Sequence, residues 1–230
     1  MRLSIIIPVL NEGEQALACL KRLAPLRAAG HELIMVDGGS TDLQSDRLAP
    51  WLDHLLSSSP GRARQMNLGA GKALGDVLWF LHADTQPTGD AAAAIRAAID
   101  DGCGWGRFDV RLDGRHPLLR LVERLMNLRS RWSGIATGDQ GIFVRRELFE
   151  QVGGFPQQEL MEDIELCAAL KRLQGPCCLY QRLITSSRRW EQRGILRTIL
   201  LMWGLRLAYR MGVSPRRLAT FYKPCPTTPS

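Results

Sequence analysis

The amino-acid sequence predicts an α/β protein built on a mostly parallel sheet flanked by helices. Two observations carry the prediction. Short apolar runs of strand length alternate with segments of helical period through the first hundred residues, joined by short loops. Three of those runs end in polar clusters: Asn11-Glu12, Asp37 and His82-Ala83-Asp84. Ligands in such sheets bind beyond the carboxyl ends of the strands, so the clusters mark one candidate site.

The elements follow in order. Leu3 to Val9 is rich in Ile and reads as a strand buried on both faces. Glu12 to Leu26 repeats apolar residues at helical spacing (Ala16, Leu17, Leu20, Leu23), and Gly30 stops it. Leu33 to Val36 is a second buried strand, and Trp51 to Leu56 reads as a third, broken by Pro60-Gly61. Arg62 to Leu74 reads as a helix and Asp76 to Leu81 as a fourth strand. Thr88 is placed to cap a helix that runs to Ile99.

After Gly104 the character changes. Trp105 to Leu112 alternates imperfectly as a strand, and Leu118 to Leu128 has helical period. Gly141 to Val144 is a short strand, Leu160 to Leu173 a helix, and Cys177 to Ile184 a last strand. Ile195 to Met211 is a largely apolar helix, and Pro215 to Ser230 reads as a poorly ordered end. No internal repeat or linker appears, so residues 1–230 read as one domain.

Composition narrows the class. Apolar residues make up 45% and charged residues 23%, which excludes collagen-like, coiled-coil and disordered chains. The formal charge of +7 is local. From Arg182 onward there are ten Lys/Arg and one acid, Glu191; the residues before hold 20 Lys/Arg against 22 acids. A nucleic-acid binder spreads its charge over a face of the body, so nucleic acid is not expected as a partner. A basic tail suits a local anion site or a membrane-facing segment.

Six cysteines occur without C-x-x-C spacing, and no secretory signal is recognisable, so reduced thiols in the cytoplasm are expected. The longest apolar stretch, Ile195 to Met211, carries Arg197, Arg206 and Arg210, so no transmembrane helix is expected. Its wide apolar arc favours packing on the body plus a self-association surface over peripheral contact with the inner membrane face.

Several clusters carry chemistry. Asp37-Gly38-Gly39-Ser40-Thr41-Asp42 follows a strand, where glycines allow a sharp turn and a carboxylate can accept from a base edge or sugar hydroxyls. His82-Ala83-Asp84 offers an imidazole and a carboxylate to a divalent ion. Gly61-Arg62-Ala63-Arg64-Gln65-Met66-Asn67 opens a helix whose backbone N–H groups and two guanidiniums suit a phosphate or diphosphate, a solvated helix face being the alternative, for Arg62 above all. Met161-Glu162-Asp163 starts a helix and offers a general base. Ser187-Arg188-Arg189-Trp190 adds cations and an aromatic plane.

In this order the motifs resemble family 2 glycosyltransferases with the GT-A fold. The matching segments are Ile5-Ile6-Ile7-Pro8-Val9-Leu10-Asn11-Glu12, Val36 to Asp42, Phe80-Leu81-His82-Ala83-Asp84, Gly138-Asp139-Gln140-Gly141 and Met161-Glu162-Asp163, covering roughly residues 1 to 190. Gly61 to Ala70 and Gly212-Val213-Ser214-Pro215 carry a closer likeness, to a small bacterial subgroup of radical-SAM/selenodomain-associated, arsenosugar-biosynthesis-type transferases.

The resemblance implies a nucleotide-sugar-binding half (1–100), an acceptor and catalytic half (101–190) and a basic C-terminal helix and tail (191–230). It implies that Glu12 and Asp37, with Pro8, Asn11 and Gly39 around them, hold a nucleotide sugar, with UDP favoured. Asp84 stands at the last Asp of the D-x-D metal motif and His82 at the first, so Mg2+ or Mn2+ is the implied cofactor. Asp163 matches the general base, with Glu162 beside it, and Asp139 and Gln140 lie on the acceptor side. Arg189-Trp190 resembles the end of a Q-x-x-R-W motif whose Gln position holds Ser186, which implies diphosphate binding, with Arg64 adding charge.

The expected reaction is inverting transfer to a small-molecule acceptor. The alternative is a polyprenyl-phosphate glycosyltransferase bound peripherally to the membrane. A binding protein that has lost catalysis is disfavoured by the intact Asp37, Asp84 and Asp163. A nucleotidyltransferase is disfavoured because no Gly-rich phosphate loop follows the first strand.

Overall fold

The computed structural model describes residues 1–222. Its centre is β1 (Leu3–Val9), buried along its whole length. After β1 come α1 (Gly13–Ala28), β2 (Glu32–Asp37), α2 (Ser45–Leu48) and β3 (His54–Ser57). Then follow α3 (Arg62–Lys72), β4 (Val77–Phe80), α4 (Ala91–Asp100), β5 (Trp105–Leu112) and α5 (Pro117–Ser133). The chain continues through β6 (Phe143–Arg145), α6 (Arg146–Gln151), α7 (Glu162–Leu173), β7 (Cys177–Thr185), α8 (Arg188–Arg193), α9 (Ile195–Arg210) and α10 (Pro215–Ala219).

Among the described residues the strands form one seven-stranded sheet in the order β3-β2-β1-β4-β6-β5-β7. β1 pairs in parallel with β2 and β4, β2 with β3, and β5 with β7. Only β6 runs antiparallel, to both β4 and β5. Pro8 is tolerated in a central strand because the β4 ladder ends at Ile6, two residues before it.

Two apolar layers cover the sheet, and β1 serves both by its alternation. Leu3, Ile5, Ile7 and Val9 face the layer of α1 and α4, while Ile6 faces that of α3, α6 and α7. Gly69 of α3 sits against Ile6. A Cβ there would lie 2.5 Å from Ile6 Cγ2, so the helix crosses β1 closely only because the position is glycine.

Several sequence expectations are corrected. Trp51 to Leu56 is not one strand: a 3₁₀ turn over Ala49–Trp51, with Pro50 in its first turn, takes Trp51, and β3 begins only at His54. Thr88 does not cap α4. Asp90 takes that position, and the Thr88 hydroxyl donates to its carboxylate at 2.7 Å. The imperfect alternation of β5 arises because Arg107 and Asp109 are both buried. They pair with each other, and Arg131 of α5 adds a second ion pair to Asp109 at 2.8 Å.

The thiols are not all reduced. Cys103 and Cys177 form a disulfide that joins the segment before β5 to the start of β7. The alignment follows from pairing, since Gly106 and Cys177 are register partners in the sheet. Part of the expected disordered end is helical: Pro215 starts α10, and Leu218 buries against Met161 and Leu205. Pro224, Pro226 and Pro229 lie outside the described residues. No helix among the described residues is long and apolar enough to cross a membrane.

Candidate active site

The carboxyl ends of β1 and β2 are tied into one scaffold. Asn11 adopts a left-handed backbone (φ 54°), the region that asparagine tolerates best after glycine. Its Oδ1 accepts from Thr41 N at 3.0 Å, and its own N–H donates to Ser40 Oγ at 2.8 Å. Asp37 accepts from the Ser40 N–H at 2.9 Å and from its hydroxyl at 2.6 Å. Gly39 completes the turn at φ 94°. Beneath both loops, Gln65 of α3 donates through Nε2 to the carbonyls of Val9 and Val36, each at 2.8 Å.

Beyond this scaffold the acids gather. Burial pushes the Glu12 carboxyl up to about 6, with the neighbouring Asp84 charge adding to the rise. Asp84 is raised by burial and by Asp139. Asp139 Oδ1 is itself buried without a hydrogen-bond partner. Arg62 and Arg188 oppose the rise at both Glu12 and Asp84.

Asp163 forms the far wall. Its Oδ2 accepts from Gly138 N at 3.0 Å and its Oδ1 from Ile164 N at 2.8 Å. Burial and then the adjacent Glu162 push its carboxyl up to about 7. Met161, just before it, holds a left-handed backbone (φ 67°), a strained conformation for a non-glycine residue at the start of α7. Asp163, Glu162, Gly138, His82 and Arg62 line a small cavity backed by Phe80. His82 is neutral there: burial, Arg62 and Arg189 pull its pKa down to about 3. Its Nε2 is buried without a partner.

The structure separates other sequence expectations. Of the two guanidiniums offered for a phosphate, Arg62 lines the cavity, with Nη1 3.8 Å from the Glu162 carboxylate. Arg64 instead donates to Gln157 at 3.3 Å and Ser59 at 3.1 Å. Gln140 is enclosed by the protein. It is fully buried, pairs with Thr137 in a capping box and donates to Ser130 Oγ at 2.9 Å. Trp190 packs on the small cluster of Leu112, Leu119 and Val122 rather than on the strand-end loops. Arg189 stacks on Tyr222, with Cζ 4.2 Å from the ring centroid. Pro8 lies within β1, buried and below the loops.

Arg62 and Arg188 stand in clusters that the sequence offers for anions, whereas the place of Gln65 beneath the strand-end loops was not foreseen; its signal was a polar residue on the buried face of a helix.

Among the described residues no three His, Cys, Asp or Glu side chains converge as a closed metal cage. Two buried donor atoms of this region lack a hydrogen-bond partner, His82 Nε2 and Asp139 Oδ1.

The model for glycosyl transferase family 2 matches residues 4–153. The chain belongs to glycosyl transferase family 2. Its curated relatives include a PGL/p-HBAD biosynthesis glycosyltransferase of Mycobacterium bovis, 34% identical over 173 residues, covering 66% of this chain. The chain spans 62% of that relative's length. Probable glycosyltransferase YdaM of Bacillus subtilis is 25% identical over 96% of this chain and 58% of its own length.

Solved structures share the GT-A fold. The mannosyltransferase PcManGT from Pyrobaculum calidifontis, in complex with GDP-Man and Mn2+, has a TM-score of 0.66 at 22% identity, covering 94% of this chain and 66% of that one. S. aureus TarS in complex with UDP-GlcNAc has a TM-score of 0.63 at 18% identity, covering 81% of this chain and 58% of that one.

Proposed function

We propose that this glycosyltransferase is inverting. It moves a sugar from a nucleotide-diphosphate sugar, with a UDP-sugar favoured, to a small-molecule acceptor, and Asp163 is the general base. The observation that carries the reading is Asp163 itself. Its carboxylate is fixed by two backbone N–H groups in a cavity wall, with a pKa raised to about 7. A base is most effective when its pKa lies near the working pH.

The steps follow from the chain's own groups. Glu12, Asp37, Asn11 and Gly39 belong to the interlocked loops that receive the nucleoside, Asp37 held by Ser40 and Asn11 by Thr41. Asp163 accepts the proton of an acceptor hydroxyl. That oxygen attacks the anomeric carbon as the bond to the diphosphate oxygen breaks, and the nucleoside diphosphate leaves with the electron pair. One displacement inverts the centre. Arg62 and Arg188 supply positive charge beside the leaving diphosphate.

Mg2+ or Mn2+, when bound, would neutralise the diphosphate. Asp84 and His82 would hold it. They fit the role, because Asp84 lies in the field of the Asp139 carboxylate and His82 presents a neutral, unpartnered nitrogen. The diphosphate oxygens and water would complete the shell.

The likeness of Gly61 to Ala70 to the arsenosugar-biosynthesis-type subgroup is part of this proposal. In the fold this segment supplies Gln65 to the scaffold and Arg62 to the cavity. A polyprenyl-phosphate acceptor is the second reading, favoured by the exposed apolar residues of α9.

The test is donor hydrolysis across UDP-, GDP- and dTDP-sugars with Mg2+, Mn2+ or EDTA. Turnover of a UDP-sugar with metal supports the reading. No turnover or binding of any nucleotide sugar contradicts it.

A further inference from the structure

The sequence suggests that Arg197, Arg206 and Arg210 interrupt the apolar stripe of α9. In the structure they do not. Leu196, Leu200, Trp203, Leu207 and Met211 recur every three or four residues and share one face. Each is between 62% and 78% exposed. Arg197 and Arg210 lie at the two margins of that face by helical spacing, and α9 contains no Asp or Glu.

The opposite side of α9 is occupied. Leu205 buries with Met161 and Leu218, and Tyr209 donates to Glu165 at 2.6 Å. Core packing therefore accounts for one side of the helix, and the described residues leave the other exposed.

A second ridge lies on the neighbouring helix. α5 packs beside α9 through Val122, Met126, Ile195 and Ile199. It leaves Leu121, Leu125 and Leu128 exposed, and Trp132 is 92% exposed. From Arg188 to Tyr222 the chain holds eight arginines and one acid, Glu191.

We propose that this face of α9, with the α5 ridge beside it, docks on an anionic lipid bilayer. Apolar ridges margined by arginine enter the headgroup region while the guanidiniums meet lipid phosphates. Tryptophan suits that depth, being apolar with one polar tip. A second copy seated on the same ridge would bring arginine against arginine, with no acid on α9 to answer it. Charge therefore selects the anionic surface. The inference does not depend on the donor chemistry, since none of the ridge residues lines the site.

The experiment is vesicle flotation of the full chain. One set of vesicles is phosphatidylcholine alone and the other is equimolar phosphatidylcholine and phosphatidylglycerol. The chain is expected to float with the anionic vesicles only, and less in high salt. Leu200→Glu/Trp203→Glu is expected to lose at least about tenfold in partitioning, and Arg197→Gln/Arg210→Gln to lose the preference for anionic vesicles. Both pairs are exposed, so melting curves should match the parent's and show that each variant folds. A parent that stays unbound overturns the proposal, as does a Leu200→Glu/Trp203→Glu chain that floats like the parent. A parent that fails to float but forms a dimer, split by those substitutions, assigns the face to a second copy instead.

Discussion

The backbone N–H of Gly138 donates to Asp163 Oδ2 at 3.0 Å, so the turn over Gly138–Gln140 holds this carboxylate by its main chain. That bond favours the ionised carboxylate, whereas burial and Glu162 oppose it. The balance leaves the group titrating at about 7.

The rate of transfer should therefore rise with pH through about 7 and level off above it, since only ionised Asp163 can take a proton. Asp163→Asn should cost roughly 10²–10⁴ in kcat and remove that limb of the profile. Initial rates across pH check both.

The same shift has a sign for stability. The folded-state pKa of Asp163 is raised, so the folded state holds the proton more tightly than the unfolded chain. This group's stabilising contribution is full below the unfolded value and is lost as pH rises towards about 7. Asp163→Asn should gain stability relative to the parent at about pH 8 and not at about pH 4. Urea melts at both values measure the difference.

Two glycines should separate chemistry from packing. A Cβ at Gly138 would lie 2.5 Å from His82 Nε2, so Gly138→Ala should displace the imidazole and lower kcat/KM by about tenfold or more. A Cβ at Gly69 would meet Ile6 Cγ2 at 2.5 Å, deep under β1. Gly69→Ala should cost about 1–3 kcal/mol of stability and leave the chemistry of the folded fraction unchanged. Kinetics and denaturant melts on the same two variants decide this.

The Cys103–Cys177 link closes a loop of 74 residues. Removing such a cross-link should destabilise the fold by about 2–4 kcal/mol. Cys103→Ser and dithiothreitol treatment should lower the melting point alike, and Cys103→Ser should make the reductant ineffective.

The parallel part of the sheet was legible because its strands are continuous apolar runs, as Ile5-Ile6-Ile7 shows. Local pattern says little about direction, so nothing foretold that β6 runs antiparallel between β4 and β5. The disulfide was hidden for a similar reason. Cys103 and Cys177 become neighbours only through the β5–β7 register. Asp37, Asp84 and Asp163 were visible as acids at element ends. Arg62 was visible only as one guanidinium of the Gly61 to Asn67 cluster, because its place opposite Glu162 depends on how α3 and α7 meet.

The central claim is that Asp163 is the base of an inverting transfer from a UDP-sugar. NMR of the first-formed product, for the parent and for Asp163→Asn, tests it most directly. The account predicts a parent product of anomeric configuration opposite to the donor's. It also predicts an Asp163→Asn protein that binds UDP as the parent does but forms almost no product. Retained configuration, or an Asp163→Asn protein that turns over at the parent's rate, would contradict it.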